Sequence, residues 1–271
     1  MPELAMAALV PGMPHMLAAD AAPSWARLRD ATRRTGDRLR AAGVETLVMV
    51  STQWFTVLGH QVQTDPHLVG EHCDENWYGY DYGRQRYDIT VDTELAFGWA
   101  DAIDARGLQS RKTRYECFPV DNGTVTAMNL LDPEHRFRLA LVSCNLYAGV
   151  DAMRVLGKAA AAAASQLGRR IGVVAVSGLS SGLIQQWISP GEDRIADDHE
   201  AWDRRMLDLV ISRKHDDVLE LREEYARAAQ VDSQLRVYPF LAGTGVDTLE
   251  SCELLEYGPI WGTGAAVVNW Q

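Results

Sequence analysis

Short apolar runs alternate along this chain with longer stretches of helical period, the pattern of strands laid in a sheet whose faces are covered by helices. The strands predicted from it are Leu4 to Val10, Thr46 to Ser51, Tyr87 to Val91, Phe137 to Ser143, Ile171 to Ser177 and Ala265 to Trp270. With 271 residues, 47% of them apolar, the chain can bury one large core. The expected fold is α/β: a single domain over 1–271 with a central mixed or parallel sheet flanked by helices.

Between the strands, Ser24 to Ala42 sets Trp25, Leu28 and Leu39 among arginines, with Ser24 the expected N-cap behind Pro23 and Gly43 the stop. The alanine-rich stretch from Val150, closed by Gly168, predicts a helix packed tightly on the sheet. A third helical region runs from His199 to Ala229 with a break near Lys214 to Asp217, and its charged residues, Arg222 among them, read as a solvated face. One segment departs from the rhythm. Gln61 to Tyr87 is polar, glycine-studded and aromatic, and is expected to be an interface or lid loop, with Trp77, Tyr78, Tyr80 and Tyr82 as anchors.

A formal charge of −11 with no dense Lys/Arg block argues against nucleic acid and anionic membrane surfaces as partners. The apolar runs are far shorter than the ~20 residues of a membrane span. Cys73, Cys117, Cys144 and Cys252 lack CxxC spacing and no signal-type stretch opens the sequence, so a reducing cytoplasm is the expected location. Ser177 to Gly182 is not a G-x-S-x-G nucleophile turn, and the glycines of GPIWGTGAAVV precede a strand, so they read as a tight turn rather than a dinucleotide cradle.

Five blocks occur in a telling order: VPGMPHM, VMVSTQW, DNG, VVAVSGLSSGL and EYGPIWGTGAAVV. In that order, over nearly the whole chain, they resemble the recurring blocks of class III extradiol ring-cleaving dioxygenases. STQW followed by HCDENWYGYD is similar to the smaller subunit of 2-aminophenol dioxygenases. The resemblance implies a site in which Fe(II) is held by two histidines and a glutamate, with two more histidines acting as acid/base and hydrogen-bond donors. Carried over position by position, the first ligand is retained as His15. The second histidine falls on Gln53, the histidine of the D-H-G turn on Asn122, and the acid/base histidine on Ser181. The carboxylate position is placed at Asp232, with Glu224 the other candidate.

An amide oxygen is a much poorer partner for Fe(II) than imidazole, and serine cannot shuttle protons near neutral pH. The chain is therefore expected to bind no cofactor of its own and to have no catalytic residues, with His15 a relic that packs the strand end. Its partner would be a homologous catalytic subunit carrying Fe(II), with an aromatic substrate in the complex. Two alternatives stay open. One is a stand-alone dioxygenase whose metal site is rearranged around His15, one of His60, His67 or His72, and an acid such as Asp74, Glu75 or Asp232. The other is a regulatory module whose emptied pocket holds an aromatic ligand.

Overall fold

A computed structural model describes residues 4–72, 83–182 and 193–271. Its strands are β1 (Leu4–Val10), β2 (Thr46–Thr56), β3 (His60–Gln63), β4 (His67–His72), β5 (Gln85–Thr90), β6 (Ser110–Thr113), β7 (Arg138–Asn145), β8 (Ile171–Val176), β9 (Cys252–Ile260) and β10 (Thr263–Trp270). Its helices are α1 (Pro23–Ala41), α2 (Thr93–Asp104), α3 (Asn122–Leu131), α4 (Val150–Leu167), α5 (Asp197–Ile211), α6 (His215–Ala228) and α7 (Val237–Gly243).

Among the described residues eight strands form one mixed sheet in the order β6-β3-β7-β2-β8-β1-β10-β9, and β4 and β5 form a separate hairpin. The centre, β7-β2-β8-β1, is parallel. Its strands are apolar nearly throughout because both faces are covered, and β8 is buried at every position. The β1-α1-β2 crossover steps across the sheet in one direction and β7-α4-β8 in the other. Right-handed connections therefore place α1 and α4 on opposite faces. One layer joins α1 to α3, the other α4 to α2 and α7.

The predicted strands are all present, with two differences. Tyr87 to Val91 falls largely in β5, which pairs with β4 instead of entering the main sheet. The described part of 61–87 is not a long loop but β3, β4 and β5, whose short polar strands leave no apolar run to read. Trp77, Tyr78, Tyr80 and Tyr82, the expected interface anchors, lie outside the described residues, as do Asp74 and Glu75.

Ser24 is not the N-cap of α1. Ala22 holds that position, Pro23 opens the helix, and the Ser24 hydroxyl donates to Asp193 (2.5 Å) and to the Pro259 carbonyl (3.0 Å). The α4 helix ends as expected, with Gly168 left-handed at φ 62°. Arg222 of α6 is not on a solvated face: it is buried, and its guanidinium donates to the Gln234 carbonyl at 2.6 Å. It follows Val218 by four residues and precedes Tyr225 by three, all buried, so a buried stripe runs down the helix.

Candidate functional site

The carboxyl ends of the parallel strands form the crevice in which open α/β sheets place their ligand sites. Thr52, Gln53 and Trp54 are pushed out of register with β7 there, between the pairs Ser51–Ser143 and Phe55–Cys144. Such bulges re-aim side chains beside functional sites. The turn after β1 brings Gly12 and His15, the start of α3 brings Asp121 to Gly123, and the turn after β8 brings Ser177 to Gly182. Gln53, Asn122, Ser181, Asp232 and His15 therefore all belong to this end of the sheet.

What holds each of them is a structural contact. The Gln53 amide nitrogen donates to the Gly12 carbonyl at 3.2 Å. A Cβ on Gly12 would lie 2.7 Å from the Gly123 Cα and 3.3 Å from that same nitrogen, so the three corners meet with no room for a further carbon. Asp121 caps α3 and accepts from the Ser51 hydroxyl at 2.6 Å. Asn122 is buried at the first turn of α3, and its Oδ1 has no hydrogen-bond partner among the described residues. The Ser181 hydroxyl stands 3.5 Å from that of Thr263.

One Asp232 oxygen accepts from the Thr52 hydroxyl (2.7 Å), the Gly178 amide (2.9 Å) and, more weakly, the Ser177 hydroxyl (3.4 Å), so this carboxylate ties the ends of β2 and β8 together. It is followed by three residues with left-handed backbone, Ser233, Gln234 and Leu235 at φ 45°, 55° and 54°. Strain of this kind costs of order 1–3 kcal/mol per residue and survives only where surroundings enforce it. Arg222 and Arg236 do so by donating to the Gln234 and Ser233 carbonyls.

His15 is fully buried between two indoles. Trp25 meets it edge-on at 4.9 Å between ring centres, and Trp261 lies tilted over it at 5.4 Å. Trp261 and Gly262 form the tight turn between β9 and β10, at φ 46° and 75°. That turn is the one expected from GPIWGTG, and it puts an indole on the imidazole. Burial lowers the His15 pKa to about 3, so the ring is neutral.

The remaining candidates do not join this group. His60 lies on β3, four strands from β1, which at the ~4.8 Å spacing of a sheet is roughly 19 Å away, too far to share a metal with His15. It is buried, and that burial lowers its pKa to about 4. His67 sits on the separate hairpin, 2.6 Å from Asp88, and His72 ends the same strand. Glu224 is exposed on α6. Among the described residues no three His, Cys, Asp or Glu side chains come together as a metal site would need. A two-histidine, one-carboxylate Fe(II) centre does not fit this donor set, because Gln53 offers an amide, a poor Fe(II) donor, where the second imidazole would be needed, and no other histidine joins His15 and an acid in a metal-sized cluster among the described residues.

Asp203 of α5, which the sequence left unread, organises the wall beside Ser181. Its fully buried carboxylate accepts from the Ser180 amide (3.1 Å) and hydroxyl (2.7 Å), Tyr225 (2.5 Å) and Tyr257 (2.9 Å). Burial raises its pKa, and these donors oppose the rise. A Cβ on Gly264 would lie 1.9 Å from its Oδ2, so only glycine lets β10 pass this close. Beyond Tyr257 a cavity of about 720 Å3, lined among others by Arg27, Asp193, Glu200 and Arg204, opens among the described residues. Its charges are largely paired with each other or with the fold, as in Arg204–Glu200 at 2.6 Å.

The fold and the position of the crevice define an α/β protein with its candidate ligand site at the carboxyl ends of a parallel sheet. The chain belongs to the LigB family: residues 6–260 match the family model described as the catalytic LigB subunit of aromatic ring-opening dioxygenase. It is 32% identical over 265 residues to the 2-aminophenol 1,6-dioxygenase alpha subunit of Pseudomonas sp., covering 97% of each chain. It is also 25% identical to the beta subunit of 2-aminophenol 1,6-dioxygenase from Pseudomonas sp., over 99% of this chain and 94% of that one. Among solved structures it is similar to the uncharacterized Escherichia coli K12 protein JW3007, with a TM-score of 0.69 over 97% of this chain and 98% of that one. At 14% identity, that likeness concerns the fold alone. No helix among the described residues is long and apolar enough to cross a membrane.

Proposed function

We propose that this chain is the non-catalytic subunit of a hetero-oligomeric dioxygenase that opens the ring of 2-aminophenol or a substituted aminophenol. Its partner would be a homologous subunit that carries the full histidine set and the Fe(II). The observation that carries the reading is the fate of the ligand positions: Gln53 is a strut to Gly12, Asp232 a clamp between β2 and β8, and His15 a filler between Trp25 and Trp261. Similarity along the full length to both an alpha and a beta subunit supports a paired role. The stand-alone reading is disfavoured, because its spare histidines lie on β3 and on the β4–β5 hairpin.

The test is expression of the chain alone and together with the family member of its own genome that has histidine at the positions of Gln53, Asn122 and Ser181. Iron content and 2-aminophenol consumption are measured. Iron and turnover are expected only when the second chain is present. Stoichiometric iron with turnover in the isolated chain overturns the proposal.

A further inference from the structure

Beyond the bulge that carries Gln53, β2 runs on into a turn that crosses the end of β7 to reach β3, and its tip is apolar and open to water. Phe55 is 60% exposed, Val57 51% and Leu58 82%, and beside them in the turn after β7 stands Tyr147 at 80%. Scattered exposed apolar residues need no explanation; a contiguous set held in place does. This one is held. Gly59 closes the turn at φ 62°. The buried Asn145 donates to the Gly59 carbonyl at 2.7 Å and accepts from the Tyr147 amide at 2.8 Å. The Leu146 amide donates to the Thr56 carbonyl at 2.9 Å. One side chain, Asn145, thus fixes both halves of the patch side by side. A groove of about 430 Å3 continues from the tip along Gln109, Ser110 and Arg111.

We infer that this face is where the homologous subunit docks, its matching surface being an apolar recess with a carboxylate rim; the inference rests on the subunit reading above. Size comes first. Aromatic side chains bury ~150–250 Å2 each, so Phe55 and Tyr147 with Val57 and Leu58 offer on the order of 400 Å2, the right scale for the apolar centre of an interface burying ~800 Å2 per partner. Charge comes second. The groove is lined by Arg111 and by no carboxylate, on a chain whose formal charge is −11. A related but different chain is free to set an acid opposite Arg111, and because the exposed Asp104 stands beside the groove, accepting from the Ser110 amide at 2.7 Å, a second copy is the occupant the test must exclude. Backbone pairing is not the mode: the edge strand β6 is four residues long and exposes Arg111 and Lys112, a usual protection against strand addition.

The test uses the full chain and the same-genome family member described above, with affinity read by analytical ultracentrifugation. The double variant Leu58→Asp/Tyr147→Asp is expected to weaken the complex at least tenfold, and Arg111→Glu at least threefold, while the urea midpoint of the isolated chain stays unchanged. Arg33→Asp on α1, which adds the same sign of charge elsewhere, is expected to leave affinity within twofold. If the wild-type complex forms and the double variant binds equally well, the docking face is wrong and the subunit reading stands. If no wild-type complex forms, the subunit reading itself falls. If the isolated chain is a dimer that Leu58→Asp dissolves, the occupant is a second copy and the inference is overturned.

Discussion

The side-chain amide of Gln53 donates to the Gly12 carbonyl across 3.2 Å, joining the turn after β1 to the bulge of β2 at the position to which the family resemblance assigns a second iron ligand. Removing it leaves a carbonyl in a tight corner without its donor, at a cost of about 1 kcal/mol. Gln53→Ala is therefore expected to lower the unfolding free energy by about that amount in urea titration. Gln53→His is expected to leave the chain with far less than one iron per molecule by elemental analysis, because His15 stays packed between Trp25 and Trp261. One equivalent of tightly held iron in that variant would show that this packing does not keep His15 from a metal.

His15→Ala separates packing from chemistry. The imidazole fills the space between two indoles, and deleting a buried ring of this kind costs about 2–4 kcal/mol through lost contacts and the cavity left behind. The expected result is a lower denaturation midpoint and an altered near-ultraviolet circular dichroism signal from Trp25 and Trp261. Ring-cleaving activity of the reconstituted complex should remain at temperatures where the variant is folded. Loss of that activity without loss of stability would instead make His15 a working residue.

Much of the fold was readable and the reasons are local. The strands β1, β2, β7 and β8 are buried on both faces and so appear as apolar runs, and α4 is bounded by its own Gly168. β9 was missed because its CELLEYGPI sequence mixes glutamates into a half-covered outer strand. The turn positions His15, Gln53, Asn122, Ser181 and Asp232 were found through the order of the blocks around them. The Asp203 network was not, because Ser180, Asp203, Tyr225 and Tyr257 are scattered in sequence and meet only when α5, α6 and β9 pack. The spacing of Val218, Arg222 and Tyr225 was the available clue that α6 buries a stripe.

That network sets a further expectation. Asp203→Ala strands the Tyr225 hydroxyl and the Ser180 hydroxyl and amide in a dry interior, and each buried donor left alone costs about 1–3 kcal/mol. A loss of about 3 kcal/mol or more by chemical denaturation follows. Gly264→Ala, whose new methyl would meet the Asp203 carboxylate at 1.9 Å, should be at least as damaging. A shift below 1 kcal/mol for both would mean that the wall beside Ser181 does not depend on this carboxylate.

Stability should fall as pH drops below about 6.5, and the buried His15 and His60 fix the sign. His60 titrates at about 4 in the fold and His15 at about 3, both held neutral by burial, against ~6.5 in the unfolded chain. Between those values the unfolded state binds the protons, so stability is full above 6.5 and is lost on acidification. Each histidine contributes about 1 kcal/mol between pH 6.5 and 5.5, or about 2 for the pair, the slope approaching about 1.4 kcal/mol per pH unit for each below that. Asp203, with its pKa raised by burial, acts in the opposite sense, so the histidine part is isolated by comparing the wild type with a histidine variant that keeps Asp203, between pH 5.5 and 6.5. Urea midpoints over that window in the wild type and in His60→Gln check the account: the variant should lose about half of the slope. An unchanged slope would mean that His60 becomes charged as readily in the folded chain as in water.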